Sequence, residues 1–172
     1  MAKSRDYIYM DVINIAGKKI GYIKDILIDF NKGMVVGFKI NPYKLLGKDF
    51  NVPKENIIYH KSQLVINNIT RDRQLEFSTI INMHVVDKHS NILGLVNEII
   101  FCEKSFEIKG LAVRDYNILG MFKNRLIFLK KDLIIGEEYV FYNGENSNIK
   151  LECISSVESR KNNDKDVYYE KV

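Results

Sequence analysis

The sequence predicts an all-β protein made of two small β-barrels in tandem, and two observations carry that prediction. The first is an internal repeat: the chain matches itself at an offset of 73 residues, without a gap from Met10 to Gly47. The second is the distribution of residues within each copy. Short runs of β-branched and aromatic residues are separated by turn signals roughly every 8–12 positions, and helical spacing is not sustained. We therefore expect two similar β-rich units that arose by duplication.

The elements follow from the pattern of the first copy. It predicts strands at about residues 7–15, 22–30, 34–41, 56–59 and 64–67, with turns at "AGKKIG" and "NKG" and a loop over residues 42–48. Single helical turns are expected near residues 54–56 and 130–133. Sheets this small bury enough surface only when they close into barrels, which also removes their exposed edges.

Two pairs of glycines keep their register between the copies and are predicted to be structural. Gly21 and Gly94 follow the first turn, where a bend or a positive φ is expected. Gly37 and Gly110 lie inside the third strand, where a glycine usually marks a bulge or a tight corner.

Asp25 and Glu98 form the acidic pair that recurs at the same offset. One interpretation makes them a functional pair across the two barrels. The interpretation we favour is structural, with each carboxylate accepting hydrogen bonds from turn amides near its own glycine, because structural acids outnumber catalytic ones.

The predicted domains are residues 1–72 for barrel 1, residues 73–154 for barrel 2 and residues 155–172 for a mobile polar tail. The linker between the barrels is short, which places them side by side. The first residues lack the apolar core of a signal peptide, and no apolar run approaches the ~20 residues that span a bilayer. Cys102 and Cys153 are expected to be reduced thiols, so we predict a cytoplasmic protein.

Catalytic motifs are absent from the sequence. There is no phosphate loop, nucleophile elbow or C-x-x-C pair. The segment "HVVDKH" holds His84, Asp87 and His89, but its spacing matches no zinc signature. Cys102, beside Glu103, is expected to be unreactive. We therefore expect no enzymatic activity, no metal and no cofactor.

Charge differs sharply between the halves: residues 1–73 hold 13 basic and 7 acidic side chains, and residues 74–172 hold 13 and 15. Alternate turns of a meander lie at the same end, so the pattern predicts a four-lysine cluster at one mouth of barrel 1 as an anion- or partner-binding candidate. It consists of Lys18, Lys19, Lys44 and Lys48. The alternative is a solvated rim that only maintains solubility.

An apolar loop, "YNILGMF", occupies the matching place in the second copy. Its exposed apolar side chains predict an interface with the other barrel, a partner or a second subunit, as in a homodimer, unless the loop folds over its own barrel. The candidates are Ile118, Leu119, Met121 and Phe122.

The succession of "GKKIGYIKDILID", a turn and "GMVVGFKI" resembles the PRC-barrel family, and "SNILGLVNEIIF" repeats the pattern. That family is named for a barrel in the H subunit of photosynthetic reaction centres, and it also forms the C-terminal half of a ribosome-maturation factor. The chain is similar to tandem two-barrel members found in spore-forming bacteria. The resemblance implies a β-barrel fold used for scaffolding and partner docking.

Taken together, these observations predict a non-catalytic cytoplasmic adaptor or assembly module that binds a protein or ribonucleoprotein partner. The alternative is direct binding of RNA or an anionic membrane surface through the basic first barrel.

Overall fold

The structure is a computed structural model that describes residues 1–114, 125–144 and 150–152. Its chain is mostly β, as the sequence predicts. It begins with β1 (Ala2–Lys3) and a one-turn helix, α1 (Ser4–Tyr7). The next seven strands are β2 (Asp11–Asn14), β3 (Lys19–Asp29), β4 (Met34–Pro42), β5 (Phe50–Pro53), β6 (Ile57–His60), β7 (Leu64–Ile66) and β8 (Leu75–Glu76). The remaining seven are β9 (His84–Val86), β10 (Ile92–Phe101), β11 (Ile108–Arg114), β12 (Arg125–Leu129), β13 (Leu133–Ile135), β14 (Tyr139–Tyr142) and β15 (Lys150–Glu152).

In each half of the chain, a single 3-10 turn joins two strands from opposite sides of the sheet. The first sheet has the order β5-β4-β3-β2-β7-β6, and Lys54–Asn56 connects its edge strands β5 and β6. The second sheet runs β13-β14-β9-β10-β11-β12-β15, and Lys130–Asp132 connects β12, next to the edge strand β15, to β13 at the other edge. Because each connection is only three residues long, the two strands that it joins must lie close together. The sheets therefore curl round a core of buried Val, Ile, Leu and Phe side chains.

The beginning of the chain and the strand before the first 3-10 turn differ from the sequence prediction. A strand was expected over residues 7–15, but α1 ends at Tyr7 and β2 starts only at Asp11. Tyr9 has a φ of 70°, which a continuous strand does not tolerate. β5 was not predicted, since Pro53 at its end weakens the strand signal.

Bulges lie beside the glycines of the third strand in both halves. The register of β3 against β4 shifts between Leu27, paired with Gly37, and the next residue. The register of β10 against β11 shifts in the same way beside Gly110. A Cβ atom would lie 2.3 Å from the Val52 carbonyl oxygen at Gly37, and 2.2 Å from that of Phe128 at Gly110. Close backbone approach at the barrel corner thus explains why both positions are glycine.

Short strands are exchanged between the two halves. β1 pairs with β10 of the second sheet, whereas β8 pairs with β3 of the first. The two pairings are equivalent at the 73-residue offset, since Ala2 faces Phe101 and Leu75 faces Ile28. The predicted domain boundary at residue 72 stays a prediction, but backbone hydrogen bonding crosses it reciprocally, so each sheet is completed by a strand from the other half.

A second reciprocal contact joins the turns between the long strands. Met34 and Glu107, which are 73 residues apart, form an isolated antiparallel bridge. The Val35 amide donates to the Phe106 carbonyl, and the Ile108 amide donates to the Gly33 carbonyl, both at 2.8 Å. Each bond maps onto the other at the same offset. The two halves are therefore related by an approximate two-fold axis that passes through this bridge.

Aromatic rings fill the space between the halves. The ring of Tyr7 stacks on Phe38 with centroids 5.2 Å apart and contacts Phe101 of the second half at 5.3 Å. Phe106 reaches across to Phe38 at 6.1 Å and to the ring of His60 at 5.1 Å. These buried contacts belong to a hydrophobic cluster with members from both halves, so the two sheets form one packed body.

Candidate binding surface

The two recurring acids hold the exchanged strands in place. Asp25 and Glu98 are each only 5% exposed. The Asp25 carboxylate accepts hydrogen bonds from its neighbour Ile26 (2.7 Å) and from the amide of Ser78 in the other copy (3.2 Å). Glu98 pairs with Nε of Arg5 at 3.2 Å. Arg5 and Ser78 occupy equivalent positions at the 73-residue offset, so the acids act as matching anchors across the halves.

The expected partners of these acids were incomplete. The sequence suggested amides of each acid's own copy, and Asp25 does accept from Ile26, but the structure also brings Ser78 to Asp25 and Arg5 to Glu98 from the opposite copy. Burial raises the pKa of Asp25, and the hydrogen bonds from Ser78 and Ile26 oppose that rise. This arrangement was hidden from sequence reasoning because it depends on the strand exchange.

At one end of the first sheet, the first turn and the loop after β4 meet around Asp11. Its carboxylate accepts hydrogen bonds from the ammonium of Lys19 and the hydroxyl of Tyr43. These bonds, that of Lys19 foremost, lower the pKa of Asp11. The Tyr43 amide also donates to the Ile20 carbonyl at 3.1 Å. The predicted proximity of this turn and loop agrees with these contacts.

Three tyrosines extend from this junction across the surface. The rings of Tyr9 and Tyr22 lie 5.8 Å apart, and those of Tyr22 and Tyr43 lie 5.9 Å apart. Tyr9 is 78% exposed and Tyr43 is 54% exposed, although both carry large apolar rings. Tyrosine presents rigid area and a polar hydroxyl, a combination common at interfaces.

The loop after Tyr43 carries two adjacent leucines whose side chains are almost fully exposed. Leu45 is 89% exposed and Leu46 is 97% exposed. The Gly47 amide donates to the Lys44 carbonyl at 2.9 Å, which closes the turn. We refer to Leu45 and Leu46, the tyrosines 9, 22 and 43, and the lysines 18, 19 and 44 as the loop-tip surface. Adjacent exposed leucines of this kind are typical of a surface that is covered in a complex.

The four predicted lysines do not occupy equivalent surroundings. Lys18 and Lys44 are exposed beside the loop tip, and Lys19 is engaged by Asp11. Lys48 lines a cavity together with Lys39 and two arginines of the linker, Arg71 and Arg73. Their role in binding stays a prediction. The sequence did not single out the linker arginines, because their approach to Lys48 depends on how the linker crosses the sheet.

The apolar loop of the second copy lies outside the described residues, so Ile118, Leu119, Met121 and Phe122 stay predictions. The same holds for Cys153 and for the tail over residues 155–172.

Cys102 has surroundings that the sequence did not predict. Hydrogen bonds from the Ser105 side chain, followed by those from the backbone of Ser105 and Lys104, lower the pKa of this thiol to about 7. Glu103 had suggested an unreactive thiol, but the local turn places hydrogen-bond donors around the sulfur instead.

The three histidines lie in a packed cluster, a strand and a turn. His60 packs between Tyr7 and Phe106, and its Nδ1 lies 3.2 Å from the Tyr7 hydroxyl. In "HVVDKH", the Asp87 carboxylate accepts from the amides of His89 and Asn91, both at 2.8 Å. Within the described part of the chain, no group of three metal-ligand side chains converges.

These features define a closed β-sheet domain with an exposed aromatic and basic surface. Residues 1–73 match the model of the PRC-barrel domain, which supports the assignment of this half to that family. A search of curated proteins found no match to the chain. Among the described residues, no helix has the length and apolar character to cross a membrane.

Proposed function

We propose that this protein is a non-catalytic adaptor or assembly module that binds a protein or ribonucleoprotein partner in the cytoplasm. In this proposal the second half is a second PRC-like barrel that arose by duplication of the first. The observation that carries the proposal is the loop-tip surface, where Leu45 and Leu46 are 89% and 97% exposed beside a row of tyrosines.

The composition of the loop-tip surface favours an apolar partner with an acidic rim. Covering a leucine side chain removes it from water and contributes about 1.5–3 kcal/mol. The tyrosines add contact area at little entropic cost. Lys18 and Lys44 form no ion pair within the described residues, so their charges are available to steer an acidic partner.

The joined halves support a scaffolding role. Reciprocal strands, the Met34–Glu107 bridge and shared aromatic packing hold the sheets as one body. A partner bound at one end therefore acquires a defined orientation relative to the other half. Asp25 and Glu98, the two recurring acids, contribute to this rigid junction through their contacts with Ser78 and Arg5.

A second candidate is direct binding of RNA or an anionic membrane. The specific observation in its favour is that exposed Lys44 precedes the two leucines in the loop and exposed Lys18 belongs to the neighbouring turn, because leucines can enter the interface of a bilayer while lysines contact its headgroups. The exposed faces of Tyr9 and Tyr43 would serve RNA bases in the same way.

Affinity purification from the protein's own cells tests both candidates with matched variants. The wild type is compared with Leu45→Ser/Leu46→Ser and with Ile134→Ser/Phe141→Ser. The control pair lies across two strands of the second sheet and is 60% and 46% exposed. We expect one protein to co-purify stoichiometrically with the wild type and the control, and to be lost from the loop-tip variant.

Parallel arms separate the two candidates. Ribonuclease treatment and vesicles of anionic lipid identify direct RNA or membrane binding. Capture that disappears with ribonuclease, or binding of vesicles in the absence of any protein partner, would favour the second candidate. Equal capture by the wild type and both variants would remove the loop-tip surface from both proposals.

A further inference from the structure

A cavity of about 500 Å³ lies on the first half, where the linker crosses the β4–β5 hairpin. The linker is held there by specific bonds. Asn51 and Thr70 exchange backbone hydrogen bonds at 2.8 Å, and the Asn51 side chain donates to the Asp72 carbonyl at 2.6 Å. The following residues, Leu75 and Glu76, pair with β3. The cavity therefore has a wall that is positioned before any ligand arrives.

The acids of this cavity are already engaged. Asp49 pairs with Lys24 at 2.7 Å, and Glu76 pairs with Lys39 at 2.6 Å. The Asp72 carboxylate accepts a hydrogen bond from the Thr70 hydroxyl at 2.7 Å. Each of the three carboxylates therefore already has a partner, which limits their ability to neutralise the other basic side chains of the cavity.

Three cations of the lining form no ion pair within the described residues. They are Lys48, Arg71 and Arg73, all exposed. Arg71 and Arg73 both line the cavity, while the carboxylate of Asp72 between them accepts a hydrogen bond from the Thr70 hydroxyl. Two guanidinium groups and an ammonium can then converge on one anion, and guanidinium matches the oxygens of phosphate in a bidentate manner.

The charge balance and the floor of the cavity indicate the class of ligand. The lining and Lys24 together hold five basic side chains and three carboxylates, which leaves two uncompensated positive charges. Half-buried Phe50 supplies apolar surface, and Asn51 and Gln74 supply amide groups. We propose that this cavity binds a small organic phosphate monoester, with the phosphate dianion on Lys48, Arg71 and Arg73 and the organic part against Phe50.

This site is independent of the proposed docking function, because it shares no residue with the loop-tip surface. Calorimetric titration of the full chain with AMP, a soluble phosphate monoester, tests it directly. We expect saturable binding at one site, displaced by excess inorganic phosphate. Arg71→Gln/Arg73→Gln should weaken binding by at least roughly tenfold, since each guanidinium contributes charge-assisted hydrogen bonds.

Lys88→Gln/Lys104→Gln is the matched control, because it removes two exposed positive charges from the second half. It should bind AMP as the wild type does, and both variants should keep the wild-type melting temperature. Absence of saturable binding to the wild type, or equal weakening in both variants, would overturn the proposal. Vesicles that contain phosphatidic acid test the lipid source of the same group, and vesicle binding without AMP binding would rule out a soluble ligand.

Discussion

Phe106 provides the sharpest test of how the two halves are joined. It occupies a left-handed position with a φ of 59°, and the equivalent residue of the first half is Gly33, with a φ of 66°. A phenylalanine is unfavourable in this conformation by about 1–2 kcal/mol. Its ring is 8% exposed and lies 5.1 Å from His60 and 6.1 Å from Phe38, both in the first half. Packing between the halves thus outweighs the backbone preference.

The variant Phe106→Gly separates these two effects. Loss of a buried phenylalanine side chain costs about 3–5 kcal/mol. Relief of the left-handed strain offsets about 1–2 kcal/mol of that. We expect the free energy of unfolding to fall by about 1–4 kcal/mol, measured by urea denaturation followed by circular dichroism.

Ser90→Gly is the matched control, because Ser90 has a φ of 64° but is exposed. It removes the same backbone strain without removing buried surface, so its free energy of unfolding should stay within about 1 kcal/mol of the wild type. If Phe106→Gly behaves like Ser90→Gly, the ring does not stabilise the junction and our account of the paired halves is wrong.

Three further predictions concern a barrel corner, a buried acid and a thiol. Gly110→Val should lower the free energy of unfolding by about 1–3 kcal/mol or more, since its Cβ would lie 2.2 Å from a carbonyl oxygen, and chemical denaturation measures this. Burial raises the pKa of Asp25, so its ionisation should destabilise the fold as the pH rises above the ordinary value of 3.8, and Asp25→Asn should abolish that part of the pH dependence of unfolding. In a Cys153→Ser background, alkylation of Cys102 should follow a titration with a midpoint at about 7, and Ser105→Ala should move it towards the ordinary value of 9.0.

Each of these has a result that contradicts it. Gly110→Val with wild-type stability would mean that the corner adjusts freely. For Asp25, the sign is decisive: a raised pKa means that the folded state binds the proton more tightly, so a stability that instead rises with pH in this window would show a lowered pKa. An alkylation profile that Ser105→Ala leaves unchanged would remove the hydroxyl as the cause of the thiol's acidity.

Local features of the fold were readable from particular residues. Gly37 and Gly110 were predicted to mark bulges or tight corners, and the bulges lie beside both of them. The single helical turns at residues 54–56 and 130–132 also agree with the sequence pattern. Such features depend on sterics and hydrogen bonds within a few residues or between neighbouring strands, and the sequence encodes them directly.

The candidate surfaces were only partly readable. Lysines 18, 19 and 44 and their loop were predicted to lie together, and Asp11 joins the loop to the first turn. Lys48 was assigned to the same cluster, but the structure directs it to a cavity with the linker arginines. The order of strands predicts which turns lie at the same end of the sheet. It does not predict whether a side chain at the end of a loop, such as that of Lys48, points to the first turn or to the linker.

The sequence by itself determined that the protein is β-rich, that its halves are equivalent at an offset of 73 residues and that the first is more basic. Periodicity, turn residues and charge are local properties, so they can be read from the sequence without the structure. Only the tertiary structure decided that β1 and β8 each pair with the sheet of the other half. The same holds for the contacts of Asp25 with Ser78 and of Glu98 with Arg5. It also holds for the packing of His60 at the junction. The physical reason is that a short strand can complete either of two equivalent sheets, and the choice depends on packing between segments far apart in the chain.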